Sequence, residues 1–230
     1  MAETYPKKSS GGCFSKLVFL VFLGMVAGLV YSFYKIAQPQ DLSDLKSAMP
    51  ARSQSANTSS NLQAVLNNSL QRGHVLRFNE IQLNRWLSQA LKVKQGGQLA
   101  KYVSVNDIWV RLHEGYAEII LERTIFGKPW NSSIFITIDQ QATADGIQTQ
   151  VQLAGGKYHA DIKQPLRGGK LGQLVVPQGF VLLVLPSYQK LAELLSEEIR
   201  LGFEEMARID IKKGILSLNP RDDSDFKATF

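Results

Sequence analysis

Three histidines, a single cysteine and one basic glycine-rich stretch are the residues of this 230-residue chain best placed to carry chemistry. His74, His113 and His159 fall in an extended segment, a turn tip and a loop, whereas acid–base catalysis needs polar groups that converge. No helical segment carries two histidines at metal spacing. His159 and Asp161 would point the same way on a strand, but a pair of this kind is ordinarily a surface feature rather than a ligand set. There is no GxSxG, and Cys13 has no base beside it. The stretch Arg167-Gly-Gly-Lys170-Leu-Gly172 looks briefly like a phosphate cradle. Leu171 stands where a P-loop needs Ser or Thr, however, and Gln164 where it needs its first glycine, so nucleotide binding is rejected. Lys163, Arg167 and Lys170 put three positive charges in one loop, suited either to plain solvation or to anionic lipid headgroups or an acidic polymer. The expectation is a non-enzymatic chain with no cofactor and no metal.

The element that positions everything else is apolar. Residues 17–34 contain no charge and lie between Lys16 and Lys35; about 18 residues at 1.5 Å each span roughly 27 Å, close to the hydrocarbon core of a bilayer. Tyr31, Phe33 and Tyr34 fall where an aromatic belt would lie. A cleaved signal peptide is the competing reading, because Lys7, Lys8 and Lys16 form a basic leader; cleavage after Ala37 would, however, put Lys35 where a small residue belongs. The basic residues ahead of the span place the N-terminus in the cytoplasm and the domain outside. Gly24 and Gly28 form a GxxxG face through which two spans could meet as a homodimer. With one cysteine the domain cannot form an internal disulfide.

The chain divides into a cytoplasmic segment 1–16, a transmembrane helix 17–36, a flexible linker 37–60, an extracytoplasmic domain 61–220 and a disordered tail 221–230. The linker is rich in Ser, Gln, Asn and Ala and poor in large apolar residues. Asn57, Asn67 and Asn131 begin sequons that would matter only in a eukaryotic secretory pathway. The net charge of +6 is spread along the chain without an aromatic-rich basic groove, which excludes nucleic acid as partner.

Within the domain, Asn79 and Gln82 form a capping box for a helix whose apolar face holds Leu83, Trp86, Leu87, Ala90 and Leu91. Alternating segments follow: Val103 and Val105, a phase slip at Asn106-Asp107, then Ile108, Val110 and Leu112, and a turn at His113-Glu114-Gly115. Ala117, Ile119 and Leu121, then Ile134, Ile136 and Ile138, then Ile147 to Leu153 complete a four-stranded antiparallel meander. Trp86 belongs to the core, whereas Trp109 is out of phase with its apolar neighbours and expected at the surface. A glycine-rich loop over 166–179 leads to a buried helix within the apolar run 175–185, with re-entrant membrane insertion as the alternative. A long helix from Pro186 has the stripe Leu191, Leu195, Ile199, Phe203 and Met206, and a hairpin over 209–218 closes the domain. The fold expected is α+β, a curved antiparallel sheet packed against two amphipathic helices after the N-terminal span.

The helix FNEIQLNRWL, the hairpin meander, the loop GxLxVPxxFVL at 172–182 and the closing hairpin together resemble the YpmS-like single-pass envelope proteins and, more distantly, tubular lipid-binding (TULIP-type) domains. The resemblance covers about 76–218 and departs in its longer glycine-rich loop and extended C-terminal helix. It implies lipid or acyl-chain binding at a membrane and transfers no catalytic residue. Beside it, the inward positions of the meander offer apolar surface enough for either a packed core or a groove. The expected site lies between sheet and helices, lined by Leu87, Leu91, Ile119, Leu121, Ile136, Ile138 and Leu195, with Lys163, Arg167 and Lys170 as headgroup contacts. The other reading is a structural or assembly factor of the cell envelope that acts through protein–protein contacts.

Overall fold

The computed structural model of the chain describes residues 12–48, 62–94, 105–125, 127–143, 146–159 and 161–220. The sequon at Asn57, the linker from 49, the glycine pair at 96–97, the turn at 144–145 and the tail lie outside them. The elements in order are α1 Gly12–Ala37, α2 Ser43–Ala48, α3 Leu62–Arg72, β1 Leu76–Asn79 and α4 Glu80–Lys94. Then come β2 Val105–His113, β3 Tyr116–Ile125, β4 Lys128–Thr143, β5 Gly146–Gln152, β6 Lys157–His159, β7 Ile162–Leu171 and β8 Leu174–Pro177. The chain closes with α5 Gln178–Val181, α6 Leu185–Leu194, α7 Ser196–Ile199, a π-helical turn Arg200–Glu204, β9 Arg208–Lys212 and β10 Ile215–Asn219.

The fold is α+β. β2, β3, β4, β7 and β6 lie side by side and antiparallel, with β5 on the far half of β4 and β8 on β7, and the sheet is not closed; β1, β10 and β9 form a separate three-stranded sheet. β4 pairs with three neighbours because its 16 residues, roughly 50 Å of strand, outrun β3. β5 continues on the half that β3 leaves open. The expected meander is thus present, the phase slip is a register shift between Val105 and Asp107, and the capping box is made: Gln82 N–H donates to Asn79 Oδ1 at 2.8 Å, and Asn79 N–H to Gln82 Oε1 at 3.0 Å.

Three expectations need correction. Most of the glycine-rich stretch over 166–179 is strand, not loop, with 166–171 in β7 and 174–177 in β8, because Gly169 lets β7 lie close against β4; a Cβ there would strike Ser133 O. The run 175–185 is no single buried helix, since Pro177 ends β8 and only one helical turn follows. The long C-terminal helix is broken into α6, α7 and the π-helical turn. Its stripe survives the break: Leu191, Leu195 and Ile199 reach the main core, and Phe203 and Met206 a second core with Leu66, Leu201, Ile209 and Leu218. Leu66 belongs to α3, a helix the sequence pattern does not announce.

The free edge of β2 is closed by side chains of α4. Asn84 accepts from Val110 N–H at 2.6 Å and donates to Val110 O at 2.8 Å, and Glu80 accepts from Leu112 N–H at 2.6 Å. An amide thereby stands in for a neighbouring strand and protects an edge that would otherwise invite pairing. Asn84→Ala leaves two backbone groups of β2 unmet, and the expected loss is roughly 2 kcal/mol in chemical denaturation, against little change for exposed Arg85→Ala.

Candidate functional site

The two faces of the large sheet do different work. On one, Ile108 and Leu112 of β2, Ala117 and Leu121 of β3, Ile134 and Ile136 of β4 and Leu171 of β7 meet Leu87, Val181, Val184, Tyr188 and Leu195 in a continuous buried cluster. This is where the sequence places an apolar ligand. Leu87, Leu121, Ile136 and Leu195 are core residues packed into that cluster, and Ile119 is half-buried against it. Ile138 packs on the second core, and the side chain of Leu91 lies outside the described residues. Burying each such side chain contributes about 1.5–3 kcal/mol to folding, so these residues already have a structural task. Tyr188 sits among them and donates its hydroxyl to Ser132 O at 2.7 Å; burial pushes that phenol well above its usual range.

The opposite face carries the polar chemistry. The chain that leaves α1 is not a free linker over 38–48: it crosses this face as a strap, with Leu42 and Leu45 buried against Trp109 and Ile120. Trp109, expected at the surface, is 4 % exposed because the strap covers it. The exit of α1 is itself bonded to the sheet. The Trp130 indole donates to Ile36 O at 3.0 Å, Gln173 N–H to Lys35 O at 3.0 Å, and Gln40 N–H to Asn131 Oδ1 at 2.7 Å. The turn between β7 and β8 can press on this exit because Gly172, at φ +55°, has no side chain to strike the carbonyls of Ile36 and Gln38.

At the centre of this face lies Glu118, whose side chain is wholly buried. Ser133 Oγ donates to it at 2.7 Å, Lys170 Nζ approaches to 2.9 Å, His113 Nε2 to 3.4 Å and Arg111 Nη1 to 3.6 Å. Burial pushes the carboxyl up, but the contacts from His113, Lys170 and Ser133 outweigh it and hold the group at about 2. Arg111 extends the network to the strap through Asp44 at 2.8 Å and Asp41 O at 3.3 Å, and Lys46 pairs with Glu122 at 2.9 Å. His113 stacks on Tyr116 at 4.5 Å, and Tyr116 meets Phe135 edge-on at 5.4 Å.

The headgroup cations are therefore placed otherwise than a solvated loop would have them. Lys170 is committed to Glu118, and Arg167 lies over the Tyr116 ring at 5.8 Å. Lys163 is in β7, with its side chain outside the described residues. Glu118 is ionised and sealed from water near neutral pH, so it holds charge in place rather than moving protons. Asp161 is exposed in a turn, and the side chain of His159 is outside the described residues. Among the described residues no group of three or more His, Cys, Asp or Glu could hold a metal ion. Gly24 and Gly28 lie on α1 with nothing within 4 Å of where a Cβ would stand.

A further depression, of about 430 Å³, lies on the outer face of the three-stranded sheet. Arg77, Arg208 and Lys212 line it with one acid, Asp210, beside Val75, Ile215 and Ser217. It begins at the end of the large sheet remote from α1, where Lys213 N–H donates to Glu114 and Gly214 N–H to Leu112 O in the β2–β3 turn region. The sequence pattern gives no sign of it, because its cations come from two strands distant in sequence, β1 and β9, that pair on either side of β10. No protein-family model, no curated protein and no solved structure matches this chain.

Proposed function

We propose that the chain is a non-enzymatic, single-pass protein of the cell envelope, its N-terminus cytoplasmic and its domain outside, acting as a structural or assembly factor through contacts with another protein. The observation that carries the reading is the docked strap. A helix long and apolar enough to cross a membrane, Phe14–Ala37, continues without slack into a segment bonded to the sheet, so helix and domain move as one body. The same bonds support an uncleaved anchor, since removal of the helix at Ala37 would take away the Lys35 and Ile36 carbonyls that Gln173 and Trp130 hold. A stiff join fixes what the domain presents and at what height above the bilayer. At the remote end it presents the basic cleft, which suits an acidic segment of a partner. Leu87, Leu121, Ile136 and Leu195 are buried in the main core, a structural task that favours this reading over a lipid carried inside.

Photo-crosslinking in native membranes from a probe at Ser217 tests it. The expected result is a crosslink to another protein, lost when Arg77→Glu and Lys212→Glu reverse the charge of the cleft while the melting temperature is unchanged. Stoichiometric lipid retained by the full chain in native mass spectrometry, with no protein crosslink, would overturn the proposal. If the spans also pair through Gly24 and Gly28, Gly24→Ile abolishes the crosslinked homodimer without affecting the contact at Ser217.

A further inference from the structure

We propose that residues 222–226 of this chain lie in the basic cleft of the three-stranded sheet and compete there with the acidic segment of a partner. The inference rests on the reading of that cleft as the partner's docking place, and it names what regulates the contact.

Strand alternation builds the cleft. Leu76, Phe78, Ile209, Leu216 and Leu218 turn inward to the second core, so the residues between them face out. Pairing sets the outward ones in rows: Asn219 beside Arg208, Ser217 between Arg77 and Asp210, and Ile215 beside Lys212. Arg77, Arg208 and Lys212 are exposed. Asp210 is engaged by Arg208 Nε at 3.2 Å, so the cleft keeps an excess of positive charge. It also shows apolar Val75 and Ile215, 51 % and 44 % exposed. An anionic segment with an apolar residue beside its charges fits such a surface.

The chain supplies that segment where it leaves the cleft. Asn219, at the end of β10, lines the cleft, and the backbone bends at Pro220. Next come Asp222-Asp223-Ser224-Asp225-Phe226, flanked by Arg221 and Lys227, and no other four consecutive residues of the sequence hold three acids. Asp222 to Asp225 stand three to six residues past Asn219, a reach of roughly 10–20 Å. Arg77 is level with Ser217, roughly 7 Å back along β10, and Lys212 with Ile215, roughly 13 Å back. A segment returning over β10 from the bend therefore brings its acids to all three cations and Phe226 to Ile215. So short a tether holds the acids at an effective concentration of order millimolar, so that ion pairs weak one by one suffice to compete.

Full chains with a photoreactive residue at Ser217 are purified in detergent as a mixture of light and heavy-isotope copies, irradiated and digested with trypsin. The expected product joins position 217 to peptide 222–227 of the same copy. A chain carrying Asp222→Asn, Asp223→Asn and Asp225→Asn together should lose it. In native membranes the same triple variant is expected to raise the crosslink from Ser217 to another protein about threefold to tenfold, the change that two or three exposed ion pairs bring. A tail product that is absent, or that survives the triple substitution and so reports nearness alone, overturns the inference. So does a partner crosslink of equal yield in both chains, which leaves the reading of the cleft intact. A product joining light to heavy copies puts a second chain's tail in the cleft and overturns it as well. The expected tail product with no partner crosslink in either chain supports the tail contact and overturns the partner reading alone.

Discussion

Glu118→Ala is expected to lose about 3–5 kcal/mol of stability, because it leaves Lys170 and Arg111 at a covered site without their shared counter-charge. The change would also loosen the strap, since Ser133, which donates to Glu118, is within 3.4 Å of Gln40, and Arg111 joins Glu118 to Asp44. Glu118→Gln, which keeps the shape and loses the charge, should fall between. The same group makes stability depend on acid. Its folded value of about 2 lies below its ordinary 4.5, so the folded state favours the ionised form. That contribution, of order 3 kcal/mol, is complete above pH 4.5 and is lost as pH falls toward 2. Denaturation midpoints of the full chain in detergent, read from pH 7 to pH 2.5, should fall more steeply below pH 4.5 in the wild type than in Glu118→Gln. Parallel curves would remove Glu118 from its central place.

Gly172→Ala should do the greater damage to the join between α1 and the domain. Its φ of +55° is costly for any residue with a Cβ, about 1–2 kcal/mol, and the added methyl would strike the carbonyl oxygens of Ile36 and Gln38. Gly115→Ala is the matched control. It has a φ of +79° and no atom within 4 Å of the new Cβ, so it carries the conformational cost without the collision. Gly172→Ala is expected to expose the strap to trypsin at Lys46 and to release Trp109 into a more polar surrounding, read by its fluorescence, while Gly115→Ala does neither. Equal behaviour of the two would mean that helix exit and sheet are not locked.

Both effects concern a face of the sheet that the residue pattern alone does not single out. Glu118 looks like any polar residue in an alternating strand, and only the pairing of Glu118 with Phe135, and of Ser133 with Lys170, shows what surrounds it. Trp109 looks exposed because alternation assigns it away from Ile108 and Val110; that assignment is right, and the strap then buries it from the other side. Gln40, Leu42 and Leu45 sit in a segment whose composition reads as linker, since two leucines are too few to mark a core by themselves. They become core only against Ile120 and Trp109.

The sequence by itself determined what depends on near neighbours: the apolar length of α1, the Asn79–Gln82 cap, the slip at Asn106-Asp107, the glycine turn at 115 and the α+β alternation of periods. Each is set by backbone geometry or by side-chain spacing over a few residues, so a short window suffices. Tertiary structure alone decided that 166–171 and 174–177 are strand, that Leu87, Leu121, Ile136 and Leu195 pack into one buried cluster and that 38–48 is docked. Each of these depends on which distant surfaces meet, and burial is a property of the pair in contact rather than of either stretch alone.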